Sequence, residues 1–66
     1  MRVVANGDPV SLPGGATVGD LLRAMGLGAN WVLVERNGAP VRRVDLGTTV
    51  LVEGDQLELV RAVAGG

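Results

Sequence analysis

The chain has 66 residues, 47% of them hydrophobic and 20% charged, with a net charge of −1. That profile belongs to one small folded domain, spanning residues 1–66, and excludes disordered and collagen-like classes. There is no Cys and no His, so neither a disulfide framework nor a Cys/His zinc site can support the core. Lys and Tyr are also absent, which removes most usual nucleophiles and general bases; the chain is expected not to be an enzyme and to bind no metal or cofactor of its own. All six basic residues are Arg and Trp31 is the sole aromatic, which is neither the basic footprint nor the stacking platform of a nucleic-acid binder. The start of the chain reaches Asn6-Gly7 after three apolar residues, too soon for a signal peptide, and no apolar run approaches membrane-spanning length. A soluble, cytoplasmic protein with no membrane partner is expected.

Val3-Val4-Ala5 leads into Asn6-Gly7, the dipeptide best suited to the positive φ angles of a tight hairpin, and Asp8 to Leu12 returns. Pro9 has no N–H to give, so this second strand belongs at a sheet edge. Val18, Leu21, Leu22 and Met25 then recur at i, i+3, i+4 and i+7, which predicts a short helix over about residues 17–25 with those four side chains in the core. Thr17 is placed to cap it, Asp20 stands three residues on, and Gly26 followed by Leu27 fits a left-handed stop. Trp31 to Arg36 is a β-branched run ending at a second Asn-Gly pair, and Ala39 to Arg43 returns from it as a strand. Residues 44–53 show no clear period and read as irregular structure or a short strand with one turn. Gln56 to Arg61 alternates Leu57 and Leu59 with Glu58 in strand period. Ala62 to Gly66 follows without a cap or partner and reads as a flexible C-terminal tail.

The order strand, strand, helix, strand, strand, loop, strand, with one helix for one sheet face, is an α+β roll. A last strand placed mid-sheet beside the first buries the apolar faces of both. That arrangement is the β-grasp, a mixed sheet of four to five strands with one main helix. Gly65-Gly66 then follows a core strand directly. Two glycines can lie extended in a channel too narrow for a Cβ, and the terminal carboxylate is open from either side. A carboxylate becomes reactive toward sulfur or amine nucleophiles once joined to AMP, which requires ATP and an activating enzyme.

Over essentially its full length the chain resembles the thiamine-biosynthesis sulfur carrier proteins, the ThiS family, which are ubiquitin-like. The segments that carry the resemblance are Asn6-Gly7, Thr17-Val18-Gly19-Asp20-Leu21-Leu22, Val34-Glu35-Arg36-Asn37-Gly38 with Val41 and Arg43, Gly54 to Val60, and Ala64-Gly65-Gly66. The resemblance implies that Gly66 is adenylated by a ubiquitin-activating-type enzyme (ThiF-like) and converted to a thiocarboxylate. Its sulfur would come from a cysteine desulfurase or rhodanese-type donor and pass to thiazole synthase (ThiG-like). Gly65 and Ala64 would form the slender tail entering the partner's channel. Arg42 departs from the Pro that many relatives hold there, which would loosen that strand. The small subunit of molybdopterin synthase, carriers for tRNA thiolation or cysteine synthesis, and ubiquitin-like protein modifiers share the ending and stand as alternatives. A β-grasp interaction module without terminal chemistry is a further one.

Plainer roles account for several conspicuous residues. Arg42-Arg43 reads first as a solvated edge-strand face, with Arg43 kept as a candidate partner contact. Trp31 is expected to cover core rather than anchor a partner. Glu35, Asp45, Glu53, Asp55 and Glu58 read as turn or surface residues. If Leu57 and Leu59 face inward, Val60 faces outward, and by the same alternation Leu33 opposes Val32 and Val34. Exposed aliphatics on a sheet face mark a partner surface, so Val60 and Leu33 join the candidates.

Overall fold

In a computed structural model of the chain, which describes residues 1–61, each Asn-Gly pair makes a two-residue hairpin turn. Asn6 and Gly7 have φ of 51° and 85°, and Asn37 and Gly38 have φ of 50° and 85°. Positive φ at both central positions gives the turn whose twist matches that of the flanking strands. The first turn joins β1 (Arg2–Ala5) to β2 (Asp8–Ser11) and the second joins β3 (Val32–Arg36) to β4 (Ala39–Val41). A fifth strand, β5 (Gln56–Arg61), completes a sheet of order β2-β1-β5-β3-β4. Pro9 lies in the edge strand β2, where its missing donor costs no ladder bond. The last strand is central, parallel to β1 and antiparallel to β3. This mixed sheet with a single α-helix is the β-grasp.

The helix, α1 (Val18–Ala24), has every first-turn donor satisfied. The Asp20 N–H donates to the Thr17 hydroxyl at 3.2 Å, and the Thr17 N–H donates to the Asp20 carboxylate at 2.9 Å, a reciprocal capping box. The Leu21 N–H donates to the Thr17 carbonyl, while Val18 and Gly19 donate to the carbonyls of Thr49 and Leu46 at 3.0 and 2.8 Å. A Cβ on Gly19 would meet that Leu46 oxygen at 3.4 Å, so a side chain there would crowd the approach. At the other end Gly26 takes φ 72°, its N–H bonds to Arg23, and the Leu27 N–H bonds to Leu22. That double bond is a Schellman stop, and it turns Leu27 back onto the core.

Val18, Leu21 and Leu22 are buried with Val3, Ala5, Val32, Val34, Leu57 and Leu59 from the inner sheet face. Leu46 and Leu51, from the stretch without a clear period, complete this core. That stretch holds a 3₁₀ turn at Arg43–Asp45 and a single bridge between Val50 and Thr17, and the Leu51 N–H donates to the Ala16 carbonyl. Thus the helix N-terminus and the residues just before it supply the partners that a ladder would otherwise supply.

Three expectations about these elements fail. Met25 is 37% exposed rather than core, because it is the C-cap residue and Leu27 takes the inward position after the Gly26 reversal. Trp31 is 56% exposed, because it ends a 3₁₀ turn at Ala29–Trp31 and precedes β3 instead of joining its alternation. The return strand stops at Val41, and Arg42 and Arg43 enter the next 3₁₀ turn, where Asp45 N–H bonds back to the Arg42 carbonyl and Asp45 lies 3.6 Å from the Arg42 guanidinium. The pair is therefore not an edge-strand face. The expected tail, 62–66, lies outside the described residues.

Candidate functional site

Alternation along β5 and β3 buries Leu57, Leu59, Val32 and Val34 and turns Glu58, Val60, Leu33 and Glu35 to solvent. In the antiparallel register Leu33 stands directly opposite Val60, and Glu35 directly opposite Glu58. Leu33 is 63% and Val60 57% exposed. The two sequence-predicted aliphatic contacts thus meet in one rung of the sheet's outer face. Arg43 is also exposed, but it sits on the 3₁₀ turn and donates to the Asn30 carbonyl at 3.3 Å, away from that rung's ladder. Gly66, Gly65 and Ala64 lie outside the described residues; the last described residue, Arg61, stands opposite Val32 at the end of β5.

The position of β5 is fixed by side chains that sequence reasoning assigned only to turns. The Asn6 amide brackets Leu59, its Oδ1 accepting the Leu59 N–H at 2.8 Å and its Nδ2 donating to the Leu59 carbonyl at 3.1 Å. In effect one side chain adds another rung to the short parallel β1–β5 pairing. On the other side Asn37 accepts the Gln56 N–H through Oδ1 at 2.9 Å, and its own N–H donates to the Gln56 carbonyl at 2.8 Å. The Asn37 Nδ2 donates to Asp55 Oδ1 at 3.0 Å.

Asp55 is the one buried charged residue among those described, 4% exposed, and not the turn or surface group expected of it. Its Oδ2 accepts from Arg36 Nε and the Val52 N–H, each at 2.9 Å, and forms an ion pair with Arg36 Nη2 at 2.9 Å. Burial opposes ionisation, but the bonds from Val52, Asn37 and Arg36 outweigh it and hold the carboxyl below its usual range. The Gly54-Asp55 dipeptide looks like any turn; only the positions of Arg36 and Asn37, 19 and 18 residues earlier, reveal a buried charge.

No group of three or more His, Cys, Asp or Glu among the described residues could hold a metal ion. A groove of about 550 Å³ runs between β4 and residues 42–49, and both its arginines already face carboxylates: Arg36 with Asp55 and Arg42 with Asp45. No helix among the described residues is long and apolar enough to cross a membrane. What remains chemically distinctive is a rigid central strand and an exposed apolar and acidic rung pair beside it.

Those features define a ubiquitin-like β-grasp protein. The chain belongs to the ThiS family, which it matches over residues 3–66. It is similar to the crystal structure of the thiamine biosynthesis protein ThiS from Geobacter metallireducens, with 30% identity and a TM-score of 0.83 over the whole of both chains. SAMP1 from Haloferax volcanii is 28% identical with a TM-score of 0.64, over all of this chain and 98% of the other. A thiazole synthase from Magnetococcus marinus is 41% identical across all 66 residues, and the chain spans 20% of that relative's length.

Proposed function

We propose that this chain is a sulfur carrier for formation of the thiamine thiazole, and that Gly66 is its covalent site. The observation that carries this reading is the family match, which runs through the β-grasp body to residue 66 and so takes in Ala64-Gly65-Gly66. Similarity to a thiazole synthase supports the same pathway. Elimination points the same way, since the chain has no Cys for a persulfide, no Lys for an acyl group and no His for a phosphoryl.

In this reading a ThiF-like enzyme uses ATP to join the Gly66 carboxylate to AMP, releasing pyrophosphate. The terminal sulfur of a persulfide on a desulfurase or rhodanese-type donor displaces AMP to form an acyl disulfide, and a thiol then attacks the donor's sulfur, releasing the Gly66 thiocarboxylate and leaving a disulfide between that thiol and the donor. The thiocarboxylate sulfur is the better nucleophile and attacks a carbonyl on a ThiG-like thiazole synthase. The carrier itself works in the cytoplasm, catalyses nothing and holds no cofactor. Gly65 and Ala64 matter because a Cβ larger than Ala would foul an enclosing channel.

Intact mass measured after incubation with an adenylating enzyme, ATP and a sulfur donor tests the proposal. The parent should gain the difference between sulfur and oxygen, whereas deleting Gly66 or adding one residue after it should abolish the gain. Melting temperature should stay nearly constant, because Gly66 has no side chain to bury. Thiolation of the extended chain without trimming would overturn the mechanism.

A further inference from the structure

The Asn37-Gly38 turn joins a structural need to a chemical weakness. Asn37 and Gly38 take φ of 50° and 85°, and the Asn37 amide fastens the start of β5: Oδ1 accepts the Gln56 N–H at 2.9 Å and Nδ2 donates to Asp55 Oδ1 at 3.0 Å. Asn-Gly is also the dipeptide that loses its side-chain amide most readily, because no Cβ shields the glycine nitrogen from the asparagine Cγ. Asn37 is exposed, and nothing lies within 4 Å of where a Cβ on Gly38 would stand, so water reaches the turn. Asn6-Gly7 is equally open, but both atoms of the Asn6 amide are bonded to Leu59 in the interior of β5. Asn37 is held by Asp55 and by Gln56, the first residue of that strand, and its hairpin returns through β4, a three-residue strand at the sheet's edge. Strand ends and edges open more readily than strand interiors.

We infer that Asn37 is a site of spontaneous deamidation, gated by opening of its bonds to Asp55 and Gln56, and that the product unfastens the start of β5. Once the side chain swings free, the Gly38 nitrogen attacks Asn37 Cγ. The new N–C bond closes a five-membered succinimide, and Nδ2 leaves as ammonia with the proton that the Gly38 N–H gives up. Water then opens the ring at either carbonyl, leaving an aspartate or an isoaspartate at position 37 with OH in place of NH₂. The aspartate sets a carboxylate against Asp55 Oδ1, where a donor stood before, and Arg36 already engages the other oxygen, Oδ2. Two carboxylates in contact cannot both ionise without cost. The isoaspartate adds a methylene to the main chain inside a two-residue turn and spoils the register of Arg36 with Ala39.

The test is incubation of the full chain in mildly alkaline buffer, with and without urea, followed by trypsin, which cuts after Arg and so separates residues 37–42 from residues 3–23. The 37–42 peptide should gain the mass of an NH₂-to-OH exchange and an isoaspartate fraction, about tenfold or more faster in urea than in the folded chain. In the folded chain it should convert ahead of the 3–23 peptide. Asn37→Asp, which copies one product, should have a lower urea midpoint than Asn37→Gly, which loses the same bonds but brings no charge. It should also cost less in an Asp55→Asn background than in the parent. An unmodified 37–42 peptide in the folded chain, equal rates with and without urea, or earlier conversion of 3–23 would overturn the gated site. A midpoint of Asn37→Asp at or above that of Asn37→Gly, or an equal cost in both backgrounds, would overturn the clash with Asp55.

Discussion

Replacing Asp55 tests the claim that a buried carboxylate, and not only aliphatic packing, holds β5 in place. Asp55→Ala deprives Val52 N–H, Asn37 Nδ2 and the Arg36 guanidinium of their acceptor. Removing one partner of a buried pair costs about 3–5 kcal/mol. Arg36 keeps 28% of its side chain in water and can rehydrate, which argues for the lower end, about 3 kcal/mol. A domain of this size has about 3–10 kcal/mol in total, so the loss should be conspicuous in urea denaturation followed by far-ultraviolet circular dichroism. Asp55→Asn keeps the shape but points an amide donor at a donor, and its deficit should depend on pH. Because the native carboxyl is held below its ordinary range, its stabilisation is complete above about pH 4 and fades as pH falls through the lower native value. The stability gap between parent and Asp55→Asn should therefore be flat from about pH 7 to 5 and narrow under acid. Asp20, also held low by the Thr17 N–H and the Arg23 guanidinium, is common to both proteins and cancels in the difference. A gap that does not change with pH, or an Asp55→Ala loss below about 1 kcal/mol, would refute the reasoning.

Asn6→Gly keeps the positive φ that the turn needs but deletes both bonds to Leu59, and should cost about 2 kcal/mol by urea midpoint with the hairpin register unchanged in amide spectra. Leu22→Ala, at 1% exposure, should cost about 2–5 kcal/mol, whereas Met25→Ala, at a 37% exposed cap, should cost less than about 1; equal losses in thermal melts would contradict the assigned helix end.

The sequence was legible wherever a local rule decides structure. Both Asn-Gly turns, the Thr17 to Leu27 helix with its two stops, and the edge position forced by Pro9 depend on neighbours within a few residues. It was opaque wherever the partner is distant. Leu46 and Leu51 carry no period because their segment hangs on helix N–H groups and on Ala16 rather than on its own ladder. Asp55 and the two asparagine amides act across 18 to 53 residues, and nothing in their immediate surroundings distinguishes them from ordinary turn formers. Trp31 misled because an aromatic before a strand suggests core, while a 3₁₀ turn carries it past the sheet's alternation. Of the candidate site, the outward orientation of Leu33 and Val60 follows from alternation, but their direct opposition, like that of Glu35 and Glu58, requires the register.

The central placement of β5 has a mechanical meaning. It is flanked by β1 and β3, and the Asn6 amide adds two bonds at Leu59. Ladder bonds run across the strands, so traction on the chain beyond Arg61 loads them sideways and together. A hairpin pulled at its open end peels bond by bond; a central strand drawn along its axis must shear many bonds at once. Any machine that grips residues beyond Arg61 and pulls works against a body that resists extraction, and Asn6→Gly should lower the force at which that body yields.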